Sequence, residues 1–135
     1  MNYWILKSEP DVYSYDDLVK QGTGCWDGVR NFAARNNLKS MNVGDFAFFY
    51  HSNIGKEIVG VAKVVKGAYQ DPTTEDPNWV SVDVSPERKL KRPVSLKELK
   101  EDPKMQNLGL VRLSRLSVIP ITEEDFNYIV DLSTK

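Results

Sequence analysis

Residues 46–53, FAFFYHSN, restrict the possible folds of this chain more than any other segment. Their apolar side chains fall on both faces of an extended strand. That pattern is typical of a strand buried on both sides, because an apolar face is stable only when another layer covers it. A turn at Gly44 and Asp45 precedes the segment, and a hairpin loop at 54–57 follows it. The stretch 58–66, IVGVAKVVK, is therefore predicted to return as its partner strand.

Alternating apolar positions, helix caps and turn residues predict the other elements. The further strands are 3–7, 79–84 and 115–121, and the helices are 14–22, 31–41, 95–100 and 122–130, with Ser14, Ser95 and Thr122 as caps. Segment 71–78 reads as a loop in which Asp71, Glu75 and Asp76 are solvated turn residues. Short strands with helices between them predict an α+β fold, a curled sheet or barrel with helices at its rim. A chain of 135 residues fits a single domain spanning 1–135.

Several function classes are disfavoured by what the sequence lacks. No glycine-rich loop joins a strand to a helix, which excludes Rossmann and P-loop nucleotide sites, and no G-x-S-x-G nucleophile elbow is present. Cys25 and His51 are the only cysteine and histidine, so an internal disulfide is excluded and a structural zinc site is disfavoured. We expect no metal and no cofactor.

Charge and hydropathy limit the partners. The net charge is −1, yet residues 86–115 hold nine Lys or Arg against four Asp or Glu, so this stretch is +5 and the remainder −6. The basic stretch is either a solvated face or a local phosphate-contacting patch. No apolar run is long enough for a bilayer and no signal-peptide pattern opens the chain, so we expect a cytoplasmic protein, nuclear in a eukaryote, with no membrane partner.

Three groups of polar residues lie near the ends of predicted elements. They are Lys7-Ser8-Glu9, then Trp26-Asp27 with Asn31 and Arg35, and Tyr50-His51-Ser52-Asn53. Strand ends gather at the rim of a small barrel, where an aromatic ring with amide, hydroxyl and guanidinium groups would suit a flat heterocycle. The alternative is structural: Trp26 belongs to the core, Arg35 pairs with Asp27 or Asp45, and Asn53 makes a turn.

Five segments resemble the EVE domain family. They are 6–10 (LKSEP), 26–36 (WDGVRNFAARN), 41–53 (MNVGDFAFFYHSN), 60–73 (GVAKVVKGAYQDPT) and 115–118 (RLSV). The segments keep the order they have in the family, although Phe32 stands where many relatives have a tyrosine. The resemblance implies a PUA-like fold, a bent β-barrel with helices packed around it, related to the YTH domains that hold a methylated adenine in an aromatic cage. It also implies a reader of a modified base, either a modified cytosine in DNA or a modified base in RNA.

With that resemblance, the polar groups become candidates for a pocket that takes a flipped-out base. Trp26 would form one wall, and Tyr50 or Tyr69 another. Ser8 and Asn53 would hydrogen-bond the base edge. The side chains expected to meet phosphate or a carboxylate-like group are Lys7, Arg35 and Arg115, and the remaining pocket candidates are Asn31, His51 and Ser52. The candidates for contact with the nucleic-acid backbone are Arg88, Lys89, Lys91 and Arg92.

Two other functions remain open at this point. The same pocket would serve a sensor of a small molecule, such as a free nucleoside or an organic anion. Alternatively, the chain would be an enzyme acting on modified nucleotides, with His51 or Asp27 as the base. The predicted strand around Tyr50 is apolar on both faces, so that residue is at least as well explained as core.

Overall fold

The segment from Phe46 to His51 is an interior strand of a six-stranded sheet in a computed structural model, which describes residues 1–135. The strands are β1 (Tyr3–Ser8), β2 (Gly24–Trp26), β3 (Phe46–His51), β4 (Glu57–Gln70), β5 (Val80–Ser95) and β6 (Val118–Ile121). The helices are α1 (Tyr15–Gln21), α2 (Phe32–Ser40), α3 (Leu96–Glu101), α4 (Gly109–Arg112) and α5 (Glu123–Leu132), with a 3₁₀ turn at Pro103–Met105.

The sheet has the order β2-β5-β4-β3-β1-β6 and is covered on both faces. Only β1 and β3 pair in parallel; the other neighbours are antiparallel. One core contains Leu6 and Phe49, and the core on the opposite face contains Ile5 and Phe48. Neighbouring residues of a strand point to opposite faces, so the apolar run in β3 supplies both cores, as predicted.

Helix α2 covers part of the sheet beside the edge strand β6. Strands β2 and β6 are the edge strands, and they do not pair with each other. Helix α2 contacts both β5 and β6, and the Asn37 amide donates a 2.7 Å hydrogen bond to the carbonyl of Val118 in β6. The edge strand thus gains a donor from a helix instead of from a further strand. The result is a bent, open barrel with helices around it, which confirms the predicted α+β architecture.

Local signals located most elements correctly. Ser14, Ser95 and Thr122 all cap helices through their side chains, and 71–78 is a loop. Strand β5, however, continues from the predicted 79–84 stretch to Ser95, so the basic residues 88–92 lie within a strand. The predicted strand 115–121 begins only at Val118, and β2 and α4 were not predicted because they are only three and four residues long.

The helices in this structure are too short or too polar to cross a membrane.

Candidate functional site

The ends of β1 and β2 enclose a cavity of about 550 Å³, which we call the first cavity. Its walls include Lys7 and Ser8 from the end of β1, and Trp26 with Asp27 at the end of β2. Tyr13, in the segment before α1, adds a second aromatic ring. The structure thus brings together three of the residues that the sequence singled out for the pocket, namely Lys7, Ser8 and Trp26.

Trp26 belongs both to the core and to the cavity wall. Its side chain is 7% exposed and packs edge-on against Phe49, with the ring centroids 5.4 Å apart and the planes at 90°. The ring of Tyr13 lies 6.2 Å away at 73°. Such edge-to-face contacts fix the orientation of both rings. The interpretation of Trp26 as core and its interpretation as a pocket wall are therefore compatible.

Ser8 and Tyr13 are tied to one another through the backbone. The Ser8 hydroxyl donates to the carbonyl oxygen of Tyr13, and the Tyr13 hydroxyl donates to the side-chain oxygen of Gln21. Burial, followed by the negative charge of Asp17, raises the pKa of Tyr13. Because the Ser8 hydroxyl already donates its proton to the Tyr13 carbonyl, its oxygen can only accept a hydrogen bond from a ligand.

Asp71 holds the loop that follows β2. Its Oδ2 accepts hydrogen bonds of 2.9 Å from the Gly28 amide and from the Arg30 guanidinium, and its Oδ1 accepts from the amide and hydroxyl of Thr73. Gly28 and Arg30 both line the first cavity. The expectation that Asp71 is a solvated turn residue is wrong, since it is completely buried. Burial by itself raises the pKa of Asp71, but these donors outweigh it and hold the pKa well below its usual range.

A second cavity, of about 460 Å³, is lined by three of the other predicted pocket residues. Tyr50, Ser52 and Asn53 line it, so they lie apart from Trp26. Lys7 lines both cavities, and its ammonium donates a 2.9 Å hydrogen bond to the carbonyl of Ser114. Burial lowers the pKa of Lys7. Tyr50 is only 3% exposed, so it contributes mainly to the core.

His51 and Tyr69 line neither cavity. The Nε2 atom of His51 accepts a 3.1 Å hydrogen bond from the Tyr15 amide at the start of α1, and burial lowers the pKa of the imidazole. The Tyr69 hydroxyl donates to the Asp83 carboxylate and lies 3.1 Å from the Cys25 sulfur. Both side chains are engaged in contacts between secondary-structure elements.

Asn31, Arg35 and Arg115 lie outside the first two cavities. The Asn31 side chain accepts a 3.0 Å hydrogen bond from Ala34 and so caps α2, which begins one residue later than predicted. Asn31 and Arg115 both line a third, shallower cavity of about 380 Å³.

Arg35 does not form either ion pair considered for it. Its guanidinium donates to the carbonyl of Asn78 at 3.0 Å and lies 5.0 Å from the centroid of the Phe32 ring. Asp45 instead accepts from the Trp4 indole and from two backbone amides. The predicted pairing of Arg35 with Asp27 or Asp45 is therefore wrong, because Arg35 reaches across to the loop before β5.

The four basic residues of β5 differ in their partners. Arg92 forms two 2.9 Å hydrogen bonds with Glu98, and Lys89 lies 3.5 Å from Asp16 in an exposed pair. Arg88 and Lys91 are exposed and take part in none of the three ion pairs of the chain. These two side chains are therefore the ones available to phosphate groups.

Tyr13 and Arg30 line the first cavity and Asp71 holds its loop, but none of the three was predicted as a site residue. Arg30 and Asp71 lie in segments 26–36 and 60–73, whose resemblance to the family was the available signal. Tyr13 lies before a helix cap in a segment with no periodic pattern, and nothing local distinguishes it. The structure contains no group of three or more His, Cys, Asp or Glu side chains arranged to hold a metal ion.

Chemically, the first cavity can receive a planar ring. Two aromatic side chains and Val29 offer apolar contact, while the carboxylate of Asp27 and the hydroxyl of Ser8 accept hydrogen bonds. Lys7 and Arg30 carry donors and positive charge. A cavity of this size lies within the usual range for sites that bind small ligands or single bases.

Comparison with known proteins gives consistent results. The model of the EVE domain matches residues 2–132. Mouse thymocyte nuclear protein 1 is 40% identical, over 97% of this chain and 73% of that protein. The crystal structure of human THYN1 in complex with DNA containing 5-methylcytosine is 37% identical, with a TM-score of 0.93, and the match covers 100% of this chain and 99% of that one.

A more distant similarity concerns the fold alone. The YTH domain of a Zygosaccharomyces rouxii protein, solved in complex with N6-methyladenosine RNA, is 19% identical with a TM-score of 0.58. The match covers 98% of this chain and 86% of that one. It confirms the predicted similarity of this fold to the fold of YTH domains.

Proposed function

This chain belongs to the EVE domain family, and from that premise we propose that residues 1–135 act as one non-enzymatic domain that reads a modified base in nucleic acid. The base is a modified cytosine in DNA, or a modified base in RNA. The complex of human THYN1 with DNA containing 5-methylcytosine supports this proposal, since that protein is 37% identical and matches the whole chain.

The observation that carries the proposal is the first cavity, in which two aromatic side chains lie beside acceptors and donors. The edge of cytosine offers an amino donor and two acceptors, the ring nitrogen and the carbonyl oxygen. Ser8 and Asp27 can accept from the amino group, and Lys7 can donate to the carbonyl. A methyl group on the ring would contact Trp26 and Val29.

Entry of the base requires that it leave the stack, at a cost of a few kcal/mol. Stacking of the base on an aromatic side chain stabilises the complex by roughly 1–3 kcal/mol. Discrimination of a methyl group by apolar contact is modest, roughly 1–3 kcal/mol. A polar modification is distinguished more sharply, because a missing partner leaves a buried group unpaired.

Binding explains the site better than catalysis. The imidazole of His51 is engaged with the Tyr15 amide and does not line the first cavity. Cys25 does line that cavity, but its sulfur lies beside the Tyr69 hydroxyl, which is a donor to Asp83 and not a base.

The test is a titration of the protein with matched DNA and RNA oligonucleotides. They would carry unmodified, methylated, hydroxymethylated or carboxylated cytosine at one position. We expect selective binding of one modified form, with about a tenfold preference over cytosine for a methyl group. Equal affinity for all forms would contradict the proposal.

Two variants test whether the modified base binds in the first cavity. Trp26→Ala is unsuitable, because deleting a buried tryptophan costs roughly 3–5 kcal/mol of folding stability. Trp26→Phe keeps an aromatic core, and Asp27→Asn changes an exposed carboxylate. Both should reduce the preference for the modified base, whereas Asp11→Asn, an equal change of charge outside the cavities, should not. If both variants keep the preference of wild type, the modified base binds outside the first cavity.

A second candidate is a sensor of a free nucleoside, and the cavity volume of about 550 Å³ favours it. Competition separates the two functions. A reader of nucleic acid binds the modified oligonucleotide much more tightly than the free modified nucleoside, because backbone contacts add affinity. If the nucleoside competes as well as the oligonucleotide does, the sensor is the correct function.

A further inference from the structure

The second cavity gathers three lysines. Lys7 comes from the end of β1, Lys56 from the loop after β3, and Lys100 from α3. None of the three takes part in an ion pair, since the ion pairs of the chain are Arg30–Asp71, Lys89–Asp16 and Arg92–Glu98. Three elements distant in sequence thus bring lysines without acidic partners to the wall of one cavity of about 460 Å³.

Negative charge nearby does not balance these lysines. Glu9 is the one acidic residue that lines the cavity, and its carboxylate accepts a hydrogen bond from the Asn53 amide. Lys56 and Lys100 also line a neighbouring cavity, which adds Lys97 and Glu101, whose charges cancel. Like charges that converge in a concave surface raise the local potential and attract anions.

Neutral donors complete the surroundings. The hydroxyls of Ser52, Ser114 and Ser117 and the amide of Asn53 line the same cavity. Serine hydroxyls, amides and lysines are the groups that contact phosphate oxygens in nucleic-acid complexes. The loop is held in place, because the Lys56 carbonyl accepts a 2.8 Å hydrogen bond from Leu96 at the start of α3. The backbone at Lys56 is therefore fixed relative to α3, the helix that carries Lys100.

The second cavity is adjacent to the first. Lys7 and Ser117 line both, so a group bound in one cavity lies next to a group bound in the other. A nucleotide has the same arrangement, with a planar base on one side of the sugar and an anionic phosphate on the other. We propose that the second cavity is a phosphate site, which takes a phosphate of the nucleotide whose base occupies the first cavity. This inference rests on the proposed function.

The test compares Lys56→Gln/Lys100→Gln with Lys20→Gln/Lys39→Gln. The control pair removes the same charge from exposed positions outside the cavities. Fluorescence anisotropy with a single-stranded oligonucleotide carrying cytosine or 5-methylcytosine, at several salt concentrations, gives affinity and salt dependence. We expect the first double variant to bind both oligonucleotides about tenfold more weakly, with a salt slope smaller by about one per lysine that contacts phosphate. The preference for the methylated base stays unchanged.

A second arm identifies the phosphate. Wild type is titrated with 5-methyl-2′-deoxycytidine and with its 5′- and 3′-monophosphates. We expect one monophosphate to bind more tightly than the nucleoside, and Lys56→Gln/Lys100→Gln to abolish that advantage without changing the affinity for the nucleoside. If neither monophosphate gains over the nucleoside, the cavity does not hold a phosphate of the bound nucleotide.

The outcomes separate the two proposals. If wild type prefers the methylated oligonucleotide but Lys56→Gln/Lys100→Gln behaves like the control pair, the phosphate site is wrong and the reader stands. If wild type binds both oligonucleotides equally, the reader is wrong, and the effect of the lysines still decides the phosphate site. If wild type binds neither oligonucleotide, both proposals are overturned.

Discussion

A single buried carboxylate, that of Asp71, anchors the segment 28–30, which lines the first cavity, to the loop after β4. It receives four hydrogen bonds, from Gly28, Arg30 and Thr73. A buried carboxylate with this many donors is stable only as the anion. Gly28 has a φ of +75°, a conformation that few other residues adopt without strain, so the amide that faces Asp71 depends on this glycine. Side chains that never touch the ligand can thus set the shape of the wall.

Asp71 also predicts a pH dependence of stability. Its pKa is below the value of about 3.9 that an aspartate has in an unfolded chain. The carboxylate therefore stabilises the fold above about pH 4, and this contribution is lost as the pH falls further. We expect Asp71→Asn to lower the free energy of unfolding by roughly 2 kcal/mol at neutral pH. Urea denaturation from about pH 3 to pH 7 should show this difference shrinking at the acidic end.

Glu75→Gln provides the control, since it removes one negative charge from an exposed position of the same loop. Its free energy of unfolding should follow that of wild type across the range. A difference between wild type and Asp71→Asn that is constant with pH would mean that the charge of Asp71 does not contribute.

At the scale of the elements, helix α2 packs against three strands of the sheet, β4, β5 and β6. Ala34 and Leu38 bury its apolar side in the core, Asn37 reaches the edge strand β6, and Arg35 reaches the loop before β5. The helix therefore connects the edge strand β6 to the loop before β5. The polar residues of this helix are explained by structure, although their types suggested a binding site.

A variant of Asn31, the residue that caps α2, distinguishes a structural role from a role in binding. We expect Asn31→Ala to lower the free energy of unfolding by about 1 kcal/mol, because the Ala34 amide loses its partner. The preference for a modified base should not change, since Asn31 does not line the first cavity. Chemical denaturation and oligonucleotide titration of the same variant check both statements. A reduced preference at unchanged stability would return Asn31 to the binding residues.

At the scale of the whole molecule, the net charge is only −1, but the positive and negative side chains are unevenly distributed along the chain. Arg88 and Lys91 are exposed on β5 without acidic partners, whereas Lys89 and Arg92 are paired. Phosphate contacts contribute affinity without sequence information, so such a surface would strengthen binding equally for every base.

We therefore expect Arg88→Gln/Lys91→Gln to weaken binding of cytosine and 5-methylcytosine oligonucleotides by the same factor. The slope of log affinity against log salt should fall by about one for each side chain that contacts phosphate. Lys20→Gln/Lys39→Gln again serves as the matched control. An affinity of wild type that does not depend on salt would remove β5 from the nucleic-acid surface.

The sequence by itself determined most of the elements and the family. Helix caps at Ser14, Ser95 and Thr122 and the two-sided apolar strand β3 are local signals, in which the residues that interact lie within a few positions of each other. Such signals survive in a one-dimensional pattern. The family match covers residues 2–132, and the segments that carry the resemblance can be read directly from the sequence.

Only the tertiary structure decided which polar side chains share a cavity. Asp71 meets Gly28 across 43 positions, and Lys7 meets Ser114 across 107. No local pattern encodes such contacts, because they depend on strand register and on the direction in which each side chain leaves its strand. Ser8 and Trp26 line the same cavity, as expected. Asn53 instead lines a second cavity together with three lysines, and His51 accepts a hydrogen bond from the start of α1.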